Sequence, residues 1–171
     1  RWVPKRKPKT VFVFSGGAVR GAAQIGMLKA LCEAGIKPDA IVGVSIGALN
    51  GFWFACNPTL ERVNDLEKLW QGIVEDPPIS GNVLRRITSI LRGKPSFDTG
   101  EKLRLFLEEN VPSEDLKETQ IPFYLGTTSA STGLIKWWNE GPSVDLLLAS
   151  AALPGLLPAV HLDDNGYHLD G

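Results

Sequence analysis

Two apolar runs, each broken by glycine and each followed by a helix-like segment, fix what the N-terminal part of this chain can fold into. "TVFVF" (10–14) is β-branched and aromatic, reads as a short buried strand, and stops at "SGG". From Arg20 to Ala34 the polar residues fall mainly at Gln24, Lys29 and Glu33. Ala22, Ala23, Met27, Leu28 and Leu31 fill positions between them, which is helical spacing, and Gly35 followed by Pro38 ends it. "DAIVGV" (39–44) is then a second buried strand and "IGALNGFWFAC" (46–56) a second, mostly apolar helix. Strand, helix, strand, helix in succession implies a parallel pair joined by a crossover, the start of a layered α/β domain.

Further along, residues 59–75 read as a helix with Leu66, Leu69, Trp70 and Ile73 on one face. The stretch 77–97 is rich in Pro, Gly and Arg and reads as a cover or an insertion. "FDTGEKLRLFLEEN" offers Asp98 or Thr99 as a helix cap ahead of Leu103, Phe106 and Leu107. "IPFYLGTTSAS" and "LIKWW" read as strands, "EGPSVDLLLASAAL" as a helix, and "PAVHLDDNGYHLDG" as two short β runs around a turn.

At 171 residues the chain is the size of one domain with a substantial core. A formal net charge of −1 argues against a nucleic-acid binder working through bulk electrostatics. Charge is nevertheless concentrated at the start, where "RWVPKRKPK" holds five positive side chains and two prolines. Residues 1–9 are therefore expected as a basic tail and residues 10–171 as the domain. Such a tail is either simply solvated or forms a basic patch beside an anionic membrane, where each charge contributes roughly 1 kcal/mol near the surface. Cys32 and Cys56 lie in apolar, helix-like segments and read as small buried hydrophobes, with no metal-ligand spacing. "VFVF" is too short for the apolar core of a secretory leader, and "LLLASAALPGLLPAV" (146–160) too short to span a bilayer. The expectation is a cytoplasmic protein or one attached to a membrane face.

Three stretches carry possible chemistry. In "GVSIG", Gly43 and Gly47 allow a sharp strand-to-helix turn that would present Ser45 as a nucleophile at a helix N-terminus. A serine hydroxyl needs a group to accept its proton and another to stabilise the oxyanion its attack creates. "SGGAVRG" supplies candidates for the second role, because Gly16 and Gly17 can present successive backbone N–H groups and Arg20 adds a cation. Its spacing does not give G-x-G-x-x-G, so nucleotide binding is the weaker reading. The closing Asp170–Gly171 is, on its own, a turn. For the proton acceptor, a Ser–His–Asp triad with His168 or His161 and an acid such as Asp145 remains open.

Together, "SGGAVRG", "GVSIG" and the final "DG", in this order and spacing, resemble the patatin-like phospholipase family, whose pattern is "GGGxRG", "GxSxG" and a late "DG[GA]". "ASAALPGLLPAV" is similar to the family's segment leading into the aspartate, and the resemblance spans nearly the whole chain. It implies a layered α/β domain with a central, mostly parallel sheet flanked by helices. It also implies a lipid acyl-ester hydrolase with a Ser–Asp dyad: Ser45 as nucleophile, Asp170 as base, and an oxyanion hole from Gly16, Gly17 and Ala18, helped by Arg20. No metal and no cofactor is implied, and both histidines become bystanders. The family continues past this aspartate through further strands and helices, so the chain is expected to be short at its C-terminus. Ala18 replaces the family's third loop glycine, and a positive φ there would cost alanine about 1 kcal/mol or more. A lipid- or acyl-binding module without turnover is the non-catalytic alternative. The expected partner is a lipid or acyl-ester substrate, with peripheral membrane contact. Phe52, Trp53, Phe54, Trp137 and Trp138 read either as core or as the lining of an acyl channel.

Overall fold

A computed structural model describes residues 9–75 and 97–171. The basic tail apart from Lys9, and the Pro-, Gly- and Arg-rich stretch apart from Phe97, lie outside the described residues. In chain order the elements are β1 (Val11–Phe14), a short 3-10 turn (Ala18–Arg20), α1 (Gly21–Glu33), β2 (Ala40–Val44), α2 (Ile46–Cys56) and α3 (Leu60–Glu75). There follow α4 (Phe97–Asn110), β3 (Phe123–Ser129), β4 (Ile135–Trp138), α5 (Ser143–Ala151), β5 (Val160–His161) and β6 (Tyr167–Asp170). Asp98 and Thr99 fall inside the described span of α4 rather than ahead of it.

The domain is layered α/β, with helices flanking a central mixed sheet. β1, β2 and β3 run parallel, while β4 and β6 are antiparallel to β3 and β5 is antiparallel to β6. The register along β3 decides where the site forms. β2 pairs with β3 up to Val44–Gly126, and β6 pairs with it from Thr127–Asp170 onward. Gly126 and Thr127 also pair with Trp137 and Lys136 of β4, so β2 and β6 must share the other edge of β3. A strand has only two edges. The C-terminal ends of β2 and β6 therefore meet head to head at a seam beside Gly126 and Thr127.

The sheet face carrying Phe12, Phe14, Ile41 and Phe123 is covered by α2, close enough that a side chain at Gly51 would touch Ile41 and Phe123. Phe52, Trp53 and Phe54 of that helix are buried, with Phe52 against Phe123 at 5.6 Å between centroids. Each such side chain contributes about 1.5–3 kcal/mol on burial. These three are core residues. α1 and α3 pack on α2 and on each other, and α4 packs on α5.

β1 is buried on one face only: Phe12 and Phe14 point into the core, whereas Val11 and Val13 on the other face are exposed. Trp137 is exposed, so it is not a core residue. Trp138 is half-buried, donates its indole N–H to Thr127 Oγ1 at 2.7 Å, and lies under the Lys136 ammonium. Among the described residues no helix is long and apolar enough to cross a membrane.

Candidate active site

β2 ends at Val44, and the chain turns into α2 through Ser45, whose φ of 56° and ψ of −130° are strained for a residue with a side chain. The flanking glycines do not take up this strain, since neither Gly43 nor Gly47 has a positive φ. They provide clearance. A Cβ at Gly43 would stand 2.6 Å from the Gly47 carbonyl oxygen, and one at Gly47 would stand 2.3 Å from that of Phe14. Glycine at both positions lets α2 begin directly against the ends of β1 and β2. The glycines allow the turn by clearance: the serine bends, and the glycines make room for it.

The loop after β1 approaches the same point. A Cβ on Gly16 would lie 3.2 Å from Ser45 Cβ and 3.8 Å from Ser45 Oγ, so a side chain there would crowd the hydroxyl. Gly17 adopts φ 152° and Ala18 φ 48°, and the Arg20 N–H closes the turn on the Gly17 carbonyl at 3.0 Å. Position 18 does require the left-handed region that alanine resists. Ala18 and Arg20 lie on the exposed turn that follows.

Asp170 arrives from the opposite direction at the end of β6. Its carboxyl comes beside the Ser45 hydroxyl, close enough for that hydroxyl to favour the charged form. Burial raises its pKa above the ordinary 3.8, while the neighbouring Ser45 hydroxyl and Gly171 N–H pull the other way. The half-buried carboxyl is therefore a stronger base than a solvated aspartate. Gly171 fits the seam tightly, since a Cβ there would stand 2.6 Å from the Gly126 oxygen and 2.9 Å from Val44 Cγ1.

Neither histidine is placed on Ser45. His168 is 1% exposed; its Nδ1 lies 2.8 Å from Thr127 Oγ1 and its Nε2 lies 3.2 Å from the Asn165 carbonyl. A carbonyl only accepts, so Nε2 carries the proton and, in the neutral ring, Nδ1 accepts from the Thr127 hydroxyl. His161 is exposed, with its ring against Tyr167. Asp145 accepts from Arg104 Nη2 at 2.7 Å.

Polar residues that the sequence alone did not single out complete the surroundings. Ser150, fully buried on α5, bonds both the Ser45 N–H and the Gly126 carbonyl at 2.8 Å. Asn50 is buried on α2; its amide donates to the Gly21 carbonyl and to Gln24, and its oxygen accepts from the Trp70 indole N–H at 3.0 Å. Gln24 in turn donates to the Ser15 carbonyl at 2.8 Å, which ties the glycine loop to α1, α2 and α3. The available signal was the isolation of a polar side chain within an apolar helix, as in "GALNGF" and "LLLASAAL". Cys32 and Cys56 are half-buried free thiols whose pKa burial raises, to about 11 for Cys56. Among the described residues no cluster of His, Cys, Asp and Glu is grouped to hold a metal. A groove of about 410 Å³ runs between α1 and α3, bordered by Ala22, Ile25, Lys29 and Trp70, and neither Ser45 nor Asp170 lines it.

A lysophospholipase of Aspergillus terreus is 30% identical over 159 residues, covering 93% of this chain and 10% of the relative, and one of Aspergillus niger is 29% identical over the same length. The chain thus spans about a tenth of the length of the curated relatives it matches. The crystal structure of VipD from Legionella pneumophila shares the fold with a TM-score of 0.64 at 15% identity, covering 97% of this chain and 46% of that one. The sequence matches the family described as patatin-like phospholipase over residues 12–171, and the chain belongs to that family.

Proposed function

We propose that this chain is a lipid acyl-ester hydrolase in which Ser45 is the nucleophile and Asp170 the base. The observation that carries the reading is the meeting of the ends of β2 and β6 beside Gly126 and Thr127, which brings the Ser45 hydroxyl next to an Asp170 carboxyl raised in pKa by burial. On attack, Ser45 Oγ bonds to the ester carbonyl carbon while its proton passes to Asp170. The oxyanion forms beside the loop of Gly16, Gly17 and Ala18, where backbone N–H groups, with Arg20 at the rim, offset the charge. Collapse expels the alcohol, which takes the proton from Asp170 and leaves an acyl-serine. Water then gives a proton to Asp170 and its oxygen to the acyl carbon. The fatty acid leaves, and Ser45 regains its proton. Every step uses the protein's own groups.

The engagement of His168 with Thr127 and Asn165, and of Asp145 with Arg104, favours this dyad over a histidine triad. The lysophospholipase names of the relatives make lysophospholipids the first substrate class to test. In the same proposal residues 10–171 form the hydrolase domain, and the basic residues of 1–9 contact an anionic membrane face. Binding to liposomes should then rise with anionic lipid and fall with salt. Release of fatty acid from a lysophospholipid should be abolished by Ser45→Ala. Undiminished release by that variant would end the proposal.

A further inference from the structure

We propose that Ser150 is a positioning residue for the Ser45–Asp170 pair, an inference that rests on the dyad reading above. Where β2 stops and β6 begins, the ladder along β3 is interrupted, leaving backbone groups at the seam to be satisfied from elsewhere. The last turn of α5 reaches into this gap. Ser150 Oγ accepts the Ser45 N–H at 2.8 Å and donates to the Gly126 carbonyl at 2.8 Å. Two residues on, the Ala152 carbonyl accepts the Asp170 N–H at 3.1 Å. One helix end therefore holds the backbones of both the nucleophile and the base.

The chemistry demanded at position 150 is specific. The Ser45 N–H needs an acceptor and the Gly126 carbonyl needs a donor, and only a hydroxyl supplies both from so short a side chain. Ser45 is also strained, at φ 56° and ψ −130°, and a strained conformation persists only where its surroundings over-determine it. With the bond to Ser150 removed, the Ser45 peptide is free to relax toward commoner dihedrals, and Oγ swings away from Asp170. Ser150 is fully buried and out of reach of substrate, so the loss falls on the chemical step rather than on substrate affinity.

The test compares Ser150→Thr with Ser150→Val, which share shape and differ in the hydroxyl, alongside Ser150→Ala. Turnover of a p-nitrophenyl acyl ester and the rate of labelling by a fluorophosphonate are measured on protein whose fold is verified by circular dichroism. The hydroxyl-free variants should lose about 10- to 100-fold in kcat and in labelling rate, with KM changed less than about threefold. Ser150→Thr should retain most of both. Equal kcat in the Thr and Val variants, or a change confined to KM, overturns the proposal. So does failure of both hydroxyl-free variants to fold while Ser150→Thr folds, because the role is then structural. Ser45→Ala and Asp170→Asn are run as controls. Full turnover in those takes down the dyad and this inference together, whereas their loss with unchanged Ser150 variants takes down this inference alone.

Discussion

The Ser45 hydroxyl stands beside the Asp170 carboxyl and favours its charged form, although Ser45 follows the second strand of the chain and Asp170 ends the last. The two meet because β2 and β6 approach from opposite directions along one edge of β3.

Burial raises the Asp170 pKa above 3.8, so the folded state holds that proton more tightly than the unfolded chain does. This group therefore favours folding below its unfolded pKa, and the contribution is lost as pH rises through the folded value. Asp170→Asn should be at least as stable as the parent at pH 7, and its advantage should shrink as pH falls toward 4. Urea denaturation at the two pH values reads this directly. The same variant should lose about 10²- to 10⁴-fold in turnover.

Removing the hydroxyl with Ser45→Ala deletes a group that favours the charged form of Asp170. The aspartate pKa should then rise further, as read from the pH dependence of its carboxyl carbon resonance. An unchanged value would mean that the two groups do not interact in solution.

Ala18 sits at φ 48°. Ala18→Gly should stabilise the fold by up to about 1 kcal/mol, because glycine occupies this region without a Cβ clash. The reverse change at Gly47, whose added Cβ would stand 2.3 Å from the Phe14 oxygen, should cost about 1–3 kcal/mol or more. Thermal denaturation of both variants checks the two signs.

Burial lowers the pKa of His168 below 6.5, with the Asn165 bond opposing it and Lys136 adding to it. The neutral ring is favoured in the fold, so this contribution to stability is full above pH 6.5 and is lost as pH falls through the folded value. His168→Ala should lower stability at pH 7.5 by about 1–3 kcal/mol, since Thr127 and Asn165 lose a buried partner. Turnover of the folded variant should stay near that of the parent, and loss of turnover with an intact fold would point to a histidine base instead.

Much of the architecture was legible in the chain. The helix read over 46–56 is α2 to the residue, because "GVSIG" places a glycine-cleared turn between a β-branched run and an apolar one. The sequence placed His168 and Asp170 together in one short β run but could not say which of them meets Ser45. That depends on the register in which β6 joins β3, a long-range pairing with no local signature. The strain at Ser45 and the bond from Ser150 were hidden for the same reason. A φ above zero on a serine follows from how tightly α2 packs on β1, and a buried hydroxyl finds its partners only once the seam has formed. The exposed face of β1 was also hidden, since an apolar run such as "TVFVF" reads alike whether one face or both are covered.

Peptide mapping by mass spectrometry after treatment of the folded protein with a fluorophosphonate tests the central claim most directly. A single adduct on Ser45, formed far more slowly in Asp170→Asn, is the predicted result. Absence of an adduct at Ser45, or an equal rate in the Asp170 variant, would contradict a serine activated by that carboxylate.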